Sequence, residues 1–575
     1  MKEWEQNYLT WKSFNNLELG LNRELSILAT DPTTLKEAFY QPLNFGTAGM
    51  RGTMGPGLNR MNIYTIRQAT EGLTQMLLKT GKAVGKIVIG FDGRHHSREF
   101  AYEAAKIIAK YHFEALVFNT VCPTPELAFA VRYLKCTSGI MITASHNPKN
   151  YNGYKVYDQN GGQITPAVAH KITDQIRLIV NPLLIETLSD EQAQQSNHIK
   201  TVNDAVNTAF LNQALAVVND VDTIRSNGDK LKVVYTPLHG VGTAAIEAVA
   251  ASLNLTNFAT VPEQRVIDPD FSTVIAPNPE IPSAFDYAIK LGKKRRADLV
   301  VATDPDADRL GLGIRIPNGD YQLLTGNQIA ALLINYLLKQ KTRNHSLPRD
   351  GVIVKSIVST KLVDALAQQY HVTVQNELTG FKYVAEEIDK LERGGKGTFL
   401  FGFEESYGYL IKPFARDKDA VQTFALLIEM AVTYQKQGRS LWSVLNGIYQ
   451  QFGYYLEKTS AVKLPGITGQ SEIQSIMQRL RHDKQQLLAK FEIERIDDLQ
   501  ELTSQTLTET SKLNFSQSNV LRLIFKDESW AIIRPSGTEP KLKCYMGVRG
   551  ITQTEAKTRL SKIINVIKQI LFPDN

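Results

Sequence analysis

The sequence predicts an α/β protein in which three tandem, related α/β domains are followed by a smaller C-terminal α+β domain. A strand, polar turn, helix and strand succeed one another three times along the chain. Each copy opens a segment of more than roughly 100 residues, which makes tandem domains rather than a solenoid of period about 20 to 50. The pattern changes after about Tyr455, and a length of 575 residues suits roughly four domains at about 150 residues each. The expected boundaries are 1–205, 206–325, 326–455 and 456–575.

Helical patterning runs to about Phe39 and leads into the glycine-rich stretch Phe45-Gly46-Thr47-Ala48-Gly49-Met50-Arg51-Gly52, which can bring backbone N–H groups and Arg51 close to an anion. The first copy of the unit then reads as a helix (Thr65 to Lys79), a strand (Lys86 to Gly90), the turn Asp92-Gly93-Arg94, a helix (Phe100 to Tyr111) and a strand (Ala115 to Phe118). Ser138 to Thr143 is a short buried strand, and the polar residues after it place Ser145 on a loop at its C-terminal end. The second copy has a strand at Lys232 to Tyr235, the turn His239-Gly240-Val241-Gly242, a helix from Ala244 to Leu253 and a strand at Phe258 to Val261. The third runs from Val352 to Lys355 through Ser359-Thr360 to a helix (Lys361 to Tyr370) and a strand (Val372 to Gln375). The C-terminal segment offers polar helices, a hairpin of Val520 to Phe525 with Ser529 to Ile533, and a final helix from Thr554 to Leu571.

Composition narrows the class. A hydrophobic fraction of 43% and a charged fraction of 21% are those of a soluble globular protein. Lys plus Arg (65) against Asp plus Glu (58) leaves only +7, without like-charge blocks, so nucleic-acid binding is not indicated. The one basic run, Lys293-Lys294-Arg295-Arg296, suits the negative end of a helix dipole. Cys122, Cys136 and Cys544 form no CxxC and no even framework, which fits a reducing cytoplasm. No secretory leader opens the sequence, and no apolar run approaches the roughly 20 residues of a membrane span.

Four loops carry chemistry. In Thr143-Ala144-Ser145-His146-Asn147-Pro148-Lys149, a serine at a strand end is either a nucleophile or a turn residue, and His146, Lys149 and Lys155 supply charge for a phosphoryl group. Asp304-Pro305-Asp306-Ala307-Asp308-Arg309 spaces three carboxylates two apart, an oxygen-only set for a hard divalent cation, Mg²⁺ first. An EF-hand fails here because its sixth position is Arg309 and its twelfth Arg315. Gly402-Phe403-Glu404-Glu405-Ser406-Tyr407-Gly408 sets an acid and a hydroxyl on an extended loop, as a polyol requires. Arg416-Asp417-Lys418-Asp419 reads as a solvated face or the start of a helix through Glu429. Arg534-Pro535-Ser536-Gly537-Thr538-Glu539-Pro540, with Lys541 and Lys543 on one strand face, makes a phosphate site without a P-loop.

These four loops, in this order, resemble the signature loops of the α-D-phosphohexomutase superfamily across nearly the whole chain, and Glu-Glu-Ser in the third is similar to its phosphoglucomutases. The resemblance implies three α/β domains with mixed sheets and a C-terminal α+β domain around a central cleft. It implies that Ser145 is phosphorylated, that Asp304, Asp306 and Asp308 hold one Mg²⁺ with a phosphoserine oxygen, and that Glu404 and Ser406 grip sugar hydroxyls. It further implies that Arg51, Lys155, Arg309 and Lys418 line the reacting phosphoryl group and that Thr379, Gly380 and Lys382 help recognise the sugar. The last loop, with Thr-Glu-Pro-Lys after Ser-Gly, is closer to the branch containing phosphopentomutases and bisphosphate synthases.

The expected activity is interconversion of glucose 1-phosphate and glucose 6-phosphate through a phosphoserine and glucose 1,6-bisphosphate, which also serves as activator; the partners are small sugar phosphates. Arg534, Ser536, Gly537, Thr538 and Lys543 are expected to hold the other phosphate. A phosphoserine adds about −1.5 to −2, so with three aspartates the site needs the cation and the basic side chains. Lys418 is a candidate general base and acid, on the argument that neighbouring cations lower its pKa, and His146 is its rival. Phosphopentomutase or phosphomannomutase activity on the same mechanism stays open. Two alternatives of other classes are a sugar-phosphate sensor and an NAD-dependent oxidoreductase, the latter from Gly240-Val241-Gly242-Thr243-Ala244-Ala245 with Glu263 roughly 20 residues on.

Overall fold

A computed structural model describes residues 1–46, 49–81, 85–464, 469–536 and 541–573. The chain divides into two compact units, one of Met1–Ile329 with Phe381–Leu441 and one of Ala330–Gly380 with Trp442–Asn575.

The first unit opens with helices Glu3–Lys12, Leu19–Leu28 and Pro32–Phe39, the last capped by Asp31, whose side chain accepts from the N–H groups of Thr33 and Thr34. Its first sheet uses β1 (Met50–Thr53), β2 (Lys86–Phe91), β3 (Glu114–Val117), β4 (Ser138–Ile142), β5 (Tyr151–Tyr157) and β6 (Ile199–Thr201) in the order β1-β5-β4-β2-β3-β6. β4, β2, β3 and β6 are parallel neighbours, while β5 runs antiparallel to both β4 and β1. Strand β4 is buried on both faces, as its unbroken Ser-Gly-Ile-Met-Ile run requires of a central strand.

The second sheet repeats the plan. β7 (Val233–Thr236), β8 (Phe258–Thr260), β9 (Leu299–Thr303), β10 (Leu310–Arg315) and β11 (Tyr321–Leu323) take the order β11-β10-β9-β7-β8. β7 is parallel to β8 and β9, and β10 is antiparallel to β9. The basic run forms the last turn of helix Asp286–Arg295 and its cap, with Arg296 in the left-handed region at φ 51°, so the cations sit at the negative helix end as expected.

The stretch from Gly402 to Gly408, expected as an extended loop, begins inside a strand: Thr398–Glu404 turns tightly into Gly408–Leu410, with Glu404 opposite Gly408. The expected extended loop is thus a hairpin turn: Phe403 pairs with Tyr409, and ladder bonding carries the strand past the apolar run. Three loops of this unit are therefore equivalent, each joining a strand to an antiparallel successor. Each also carries a non-glycine residue at positive φ: Ser145 at 51°, Ala307 at 52° and Tyr407 at 67°. Such residues cost of order 1–3 kcal/mol each and persist only where the surroundings fix them.

The second unit contains strand Gly351–Ser356, helix Leu362–Gln369 and strand Thr373–Glu377, a parallel pair with its crossover. It also contains a seven-stranded sheet in the order Tyr454–Lys463, Lys541–Gly550, Trp530–Pro535, Leu521–Phe525, Ile493–Asp498, Thr503–Gln505, Thr510–Lys512. Every pairing in it is antiparallel. Ile473, Met477 and Leu480 from helix Gly469–His482, and Ile563, Ile567 and Ile570 from helix Gln553–Leu571, pack with Leu521, Leu523, Ile533 and Leu542 in its core. Among the described residues no helix is long and apolar enough to cross a membrane.

Candidate active site

Ser145 sits in the turn from β4 to β5 and is 3% exposed. Its N–H donates to Thr143 Oγ1 at 2.8 Å, and its Oγ donates to Asp304 Oδ2 at 2.6 Å. His146 Nδ1 lies 3.3 Å from the same Oγ. Burial, then the positive fields of Arg309 and Arg51, push the His146 imidazole well below its ordinary value, so it is neutral at physiological pH. Arg51 stands on β1 opposite Gly153 of β5 and donates from Nη1 to Asn147 Oδ1 at 2.9 Å, which ties the glycine-rich stretch to the serine loop. Thr47 and Ala48 of that stretch lie outside the described residues.

The three aspartates follow β9 and are buried, and one oxygen of each lies within 4.8 Å of the others. Asp306 Oδ2 accepts from Lys155 Nζ and from Thr124 Oγ1, both at 2.8 Å. Asp308 Oδ2 lies 3.5 Å from Lys155 Nζ and 3.1 Å from Lys418 Nζ. Asp306 Oδ1 and Asp308 Oδ1 are buried without a hydrogen-bond partner. Burial and the carboxylates of Asp306 and Asp308 raise Asp304 well above the carboxylate range. Two orphaned buried oxygens, an all-oxygen donor set and charge crowded enough to hold a proton on Asp304 together fit a hard divalent cation, which would relieve all three.

The cations are placed by the same hairpins. Lys155 is on β5, opposite Met141 of β4. Arg309 donates from its backbone N–H to Asp304 Oδ1 at 3.0 Å and from Nη1 to Glu280 Oε1 at 2.6 Å. The Lys418 stem lies against Gly408, where an added Cβ would come within 2.1 Å of Lys418 Cδ. Glu404, at the mouth of the same hairpin, is close enough to raise the pKa of Lys418.

Several expectations are corrected. Arg416-Asp417-Lys418-Asp419 is no solvated face: all four residues are buried, and Asp419 caps helix Ala420–Lys436, accepting from the N–H groups of Val421 and Gln422. Lys418 is not held neutral by neighbouring cations. Burial works to lower it, but Asp308, Asp417 and Glu404 outweigh burial and hold it charged, above its ordinary value. The dinucleotide reading of Gly240-Val241-Gly242 is overturned as well. A Cβ at Gly240 would lie 2.4 Å from Pro305 Cα, and the Val241 N–H is spent on Pro305 O at 2.8 Å. These glycines let the strand-to-helix turn press on the aspartate loop, leaving no amide cradle for a pyrophosphate.

Of the remaining expected residues, Lys382 is buried in helix Phe381–Glu392 with its ammonium 5.0 Å from the Tyr383 ring. Thr379 and Gly380 end a segment of the other unit, Gly380 at φ 124°. Arg534 and Lys543 are direct cross-strand partners, and Ser536 N–H closes the hairpin on Lys541 O at 2.8 Å. Like charges set directly opposite are unfavourable unless an anion joins them. Gly537 and Thr538 lie outside the described residues. The cysteines are free and buried, and burial pushes Cys136 and Cys544 up to about 12, which leaves those thiols inert.

Glu126, which the sequence did not single out, lies in the helix that begins at Thr124, and burial pushes its carboxyl up to about 7, with Asn207 opposing and Asp419 adding to the rise. A carboxyl raised on folding contributes stability that is fully present below its unfolded pKa of about 4.3 and is lost as pH rises through about 7. Glu126→Gln is therefore expected to raise Tm at about pH 8.5, by up to about 3 kcal/mol of stability, and to leave it unchanged near pH 5. Thermal melts of both proteins across that range check this; equal curves would place the proton elsewhere.

Comparison with known proteins gives the family of the chain. Models of phosphoglucomutase/phosphomannomutase α/β/α domains I, II and III match residues 42–181, 209–315 and 325–452. The chain is similar to the phosphoglucomutase of Staphylococcus haemolyticus, with 38% identity over 91% of this chain and 93% of the relative. It is also similar to that of Staphylococcus aureus strain N315, with 39% identity over 89% and 91%. Among solved structures, parafusin (a phosphoglucomutase) from Paramecium in its open form aligns with a TM-score of 0.68 at 17% identity, covering 92% of this chain and 96% of that one. A phosphoglucomutase/phosphomannomutase family protein from Burkholderia thailandensis aligns with a TM-score of 0.65 at 18% identity, over 92% and 97%. At these identities the two structures bear on the fold alone.

Proposed function

Since the chain belongs to the phosphoglucomutase/phosphomannomutase family, whose members are phosphohexomutases of the isomerase class, we propose that it interconverts glucose 1-phosphate and glucose 6-phosphate through phospho-Ser145. The observation that carries this reading is the contact of Ser145 Oγ with Asp304 Oδ2 at 2.6 Å, which sets a nucleophilic hydroxyl at the edge of a buried three-carboxylate site. Asp304, Asp306 and Asp308, with an oxygen of the phosphoserine, would hold Mg²⁺. When bound, the ion supplies positive charge that stabilises the phosphoryl oxygens and the departing serine oxygen.

In the proposed cycle the sugar O6 attacks the phosphorus of phospho-Ser145, forming the O6–P bond as the Oγ–P bond breaks. Glucose 1,6-bisphosphate results, turns over, and returns its 1-phosphate to Ser145. Neutral His146, beside Oγ, passes the proton of the attacking hydroxyl on to the departing Oγ, and the reverse transfer carries it back to the sugar oxygen. Lys418, Lys155, Arg309 and Arg51 remain charged and balance the equatorial oxygens of a loose transition state. Glu404 and Ser406 meet sugar hydroxyls in either orientation, with Thr379, Gly380 and Lys382 assisting. The opposed cations Arg534 and Lys543, with Ser536, Gly537 and Thr538, take the phosphate that is not reacting. The cytoplasm, where sugar phosphates are found, is the proposed compartment.

A coupled assay comparing glucose 1-phosphate, mannose 1-phosphate and ribose 1-phosphate tests the substrate. Glucose 1-phosphate is expected to turn over fastest, and Glu404→Gln is expected to reduce that turnover at least about 100-fold, because a buried acceptor that loses its partners discriminates strongly. Tm should move by less than about 3 °C, as a side chain at a hairpin mouth contributes little to the core. Equal or faster turnover of ribose 1-phosphate would assign the chain to pentose phosphates instead.

A further inference from the structure

Arg94 touches none of the reacting atoms, yet both terminal nitrogens of its guanidinium donate to backbone carbonyls of the Ser145 loop. Its side chain is fully buried. Nη1 donates to Pro148 O at 2.9 Å and Tyr151 O at 3.2 Å; Nη2 donates to Asn147 O at 2.7 Å and to Ser145 O. Nε lies 3.2 Å from Asp92 Oδ2, and the ring of Phe271 covers the guanidinium face at 4.8 Å. Asp92 in turn accepts from Thr143 Oγ1 at 2.6 Å, from Ser97 Oγ at 2.7 Å and from the N–H of Arg94 at 3.0 Å. Thr143 Oγ1 is the acceptor for the Ser145 N–H.

We propose that Arg94, acting with Asp92 and Thr143, is the positioning device that fixes Ser145 in its left-handed turn and holds the serine loop in one shape while the phosphoryl group leaves and returns. Four carbonyls within the seven residues from Ser145 to Tyr151 point inward at one cation, an arrangement no ladder or helix could satisfy. A planar fork with five donors meets them; an ammonium, with three donors on one atom, does not. Arg94 takes Ser145 by its carbonyl and Thr143 takes it by its N–H, so the backbone is held on both sides and Oγ is left to the chemistry. The cover over Arg94 comes from the second α/β domain: Phe271 is 3% exposed, and the adjacent Asp270 pairs with Lys149 of the serine loop at 3.1 Å. The clamp therefore ties the serine loop to the domain that carries the aspartates.

This inference rests on the phosphoserine reading, and the test separates the two. Full-length wild type, Arg94→Lys and Thr143→Val are compared by intact mass, by kcat per phosphorylated chain and by KM for glucose 1-phosphate, with glucose 1,6-bisphosphate present. Both variants are expected to lose at least about 30-fold in kcat while KM stays within about threefold, since misplacing the donor loop removes transition-state contacts and leaves sugar binding alone. A purely structural role would lower Tm and yield and leave kcat per phosphorylated chain within about threefold of wild type; that result overturns the proposal. If Arg94→Lys does not fold, Thr143→Val, which keeps the shape of the side chain and removes only the hydroxyl, decides on the same criteria. Wild type that never carries phosphate on Ser145 would instead sink the reading on which the inference stands, and the inference with it.

Discussion

Ser145→Ala is expected to abolish mutase activity, to below detection in a coupled assay, while sugar phosphate still binds. The phosphoryl group must be carried between the two ends of the sugar, and Ser145 donates its hydroxyl to Asp304 from a loop at the edge of the aspartate cluster, whereas the other hydroxyl that donates into the cluster, Thr124 Oγ1, is spent on Asp306. The wild-type protein should show a fraction about 80 Da heavy by intact mass, one phosphoryl group on a serine, and the variant none. Dephosphorylated wild type should recover activity on addition of glucose 1,6-bisphosphate, because the intermediate is also the reagent that recharges the serine. The alanine removes one buried hydroxyl and relieves no core contact, so the melting curve should hardly move. Near-normal turnover by Ser145→Ala would refute the mechanism.

Asp306→Asn is expected to cost on the order of 10³-fold in kcat or more, the scale on which removing a catalytic metal ligand acts. The asparagine keeps an acceptor for Thr124 Oγ1 but gives up the charge that Lys155 meets at 2.8 Å. Lys155 retains Asp308 at 3.5 Å, so its ammonium is not stranded and the protein should fold. Chelation of the wild type should give the same loss, reversed by Mg²⁺, and metal analysis of the variant should show a lower content. Activity untouched by thorough chelation would reject a metal at this site.

Much of the fold was legible because it rests on local pattern. The apolar runs before Ser145, Asp304 and Glu404 are central strands, and the break in each run marks the loop where polar side chains gather. What was not legible depends on partners distant in sequence. Lys418 was read by its charged neighbours in the chain, whereas its field is set by Asp308, more than a hundred positions earlier, and by the Glu404 hairpin. Arg94 reads in the sequence as part of a polar turn; the available signal is its position, a long cation just after a strand buried from Ile87 to Phe91, at the end of the sheet where Ser145 also lies. The short polar strands Thr503–Gln505 and Thr510–Lys512 carry almost no apolar alternation and follow only from the sheet that recruits them.

The three equivalent hairpins carry a consequence for how such a protein diversifies. Ser145, the carboxylate cluster and Glu404 occupy the same topological corner of three copies of one unit, each corner pinned by a residue in the left-handed region. On the proposed roles, labour is divided by copy rather than by residue. Side-chain exchanges in the Glu404 corner can retune substrate choice while its turn keeps its backbone, and those at Glu404 itself also reach the aspartate corner through the field on Lys418. Insertions are the exception: Gly326 faces Glu405 O at 2.1 Å from where a Cβ would be, and Tyr407 O accepts from Leu310 N–H at 3.0 Å. New sugar preferences in this lineage should therefore arise by exchange of side chains at constant loop length, and lineages that differ in substrate should differ in the letters of this turn and agree in its count.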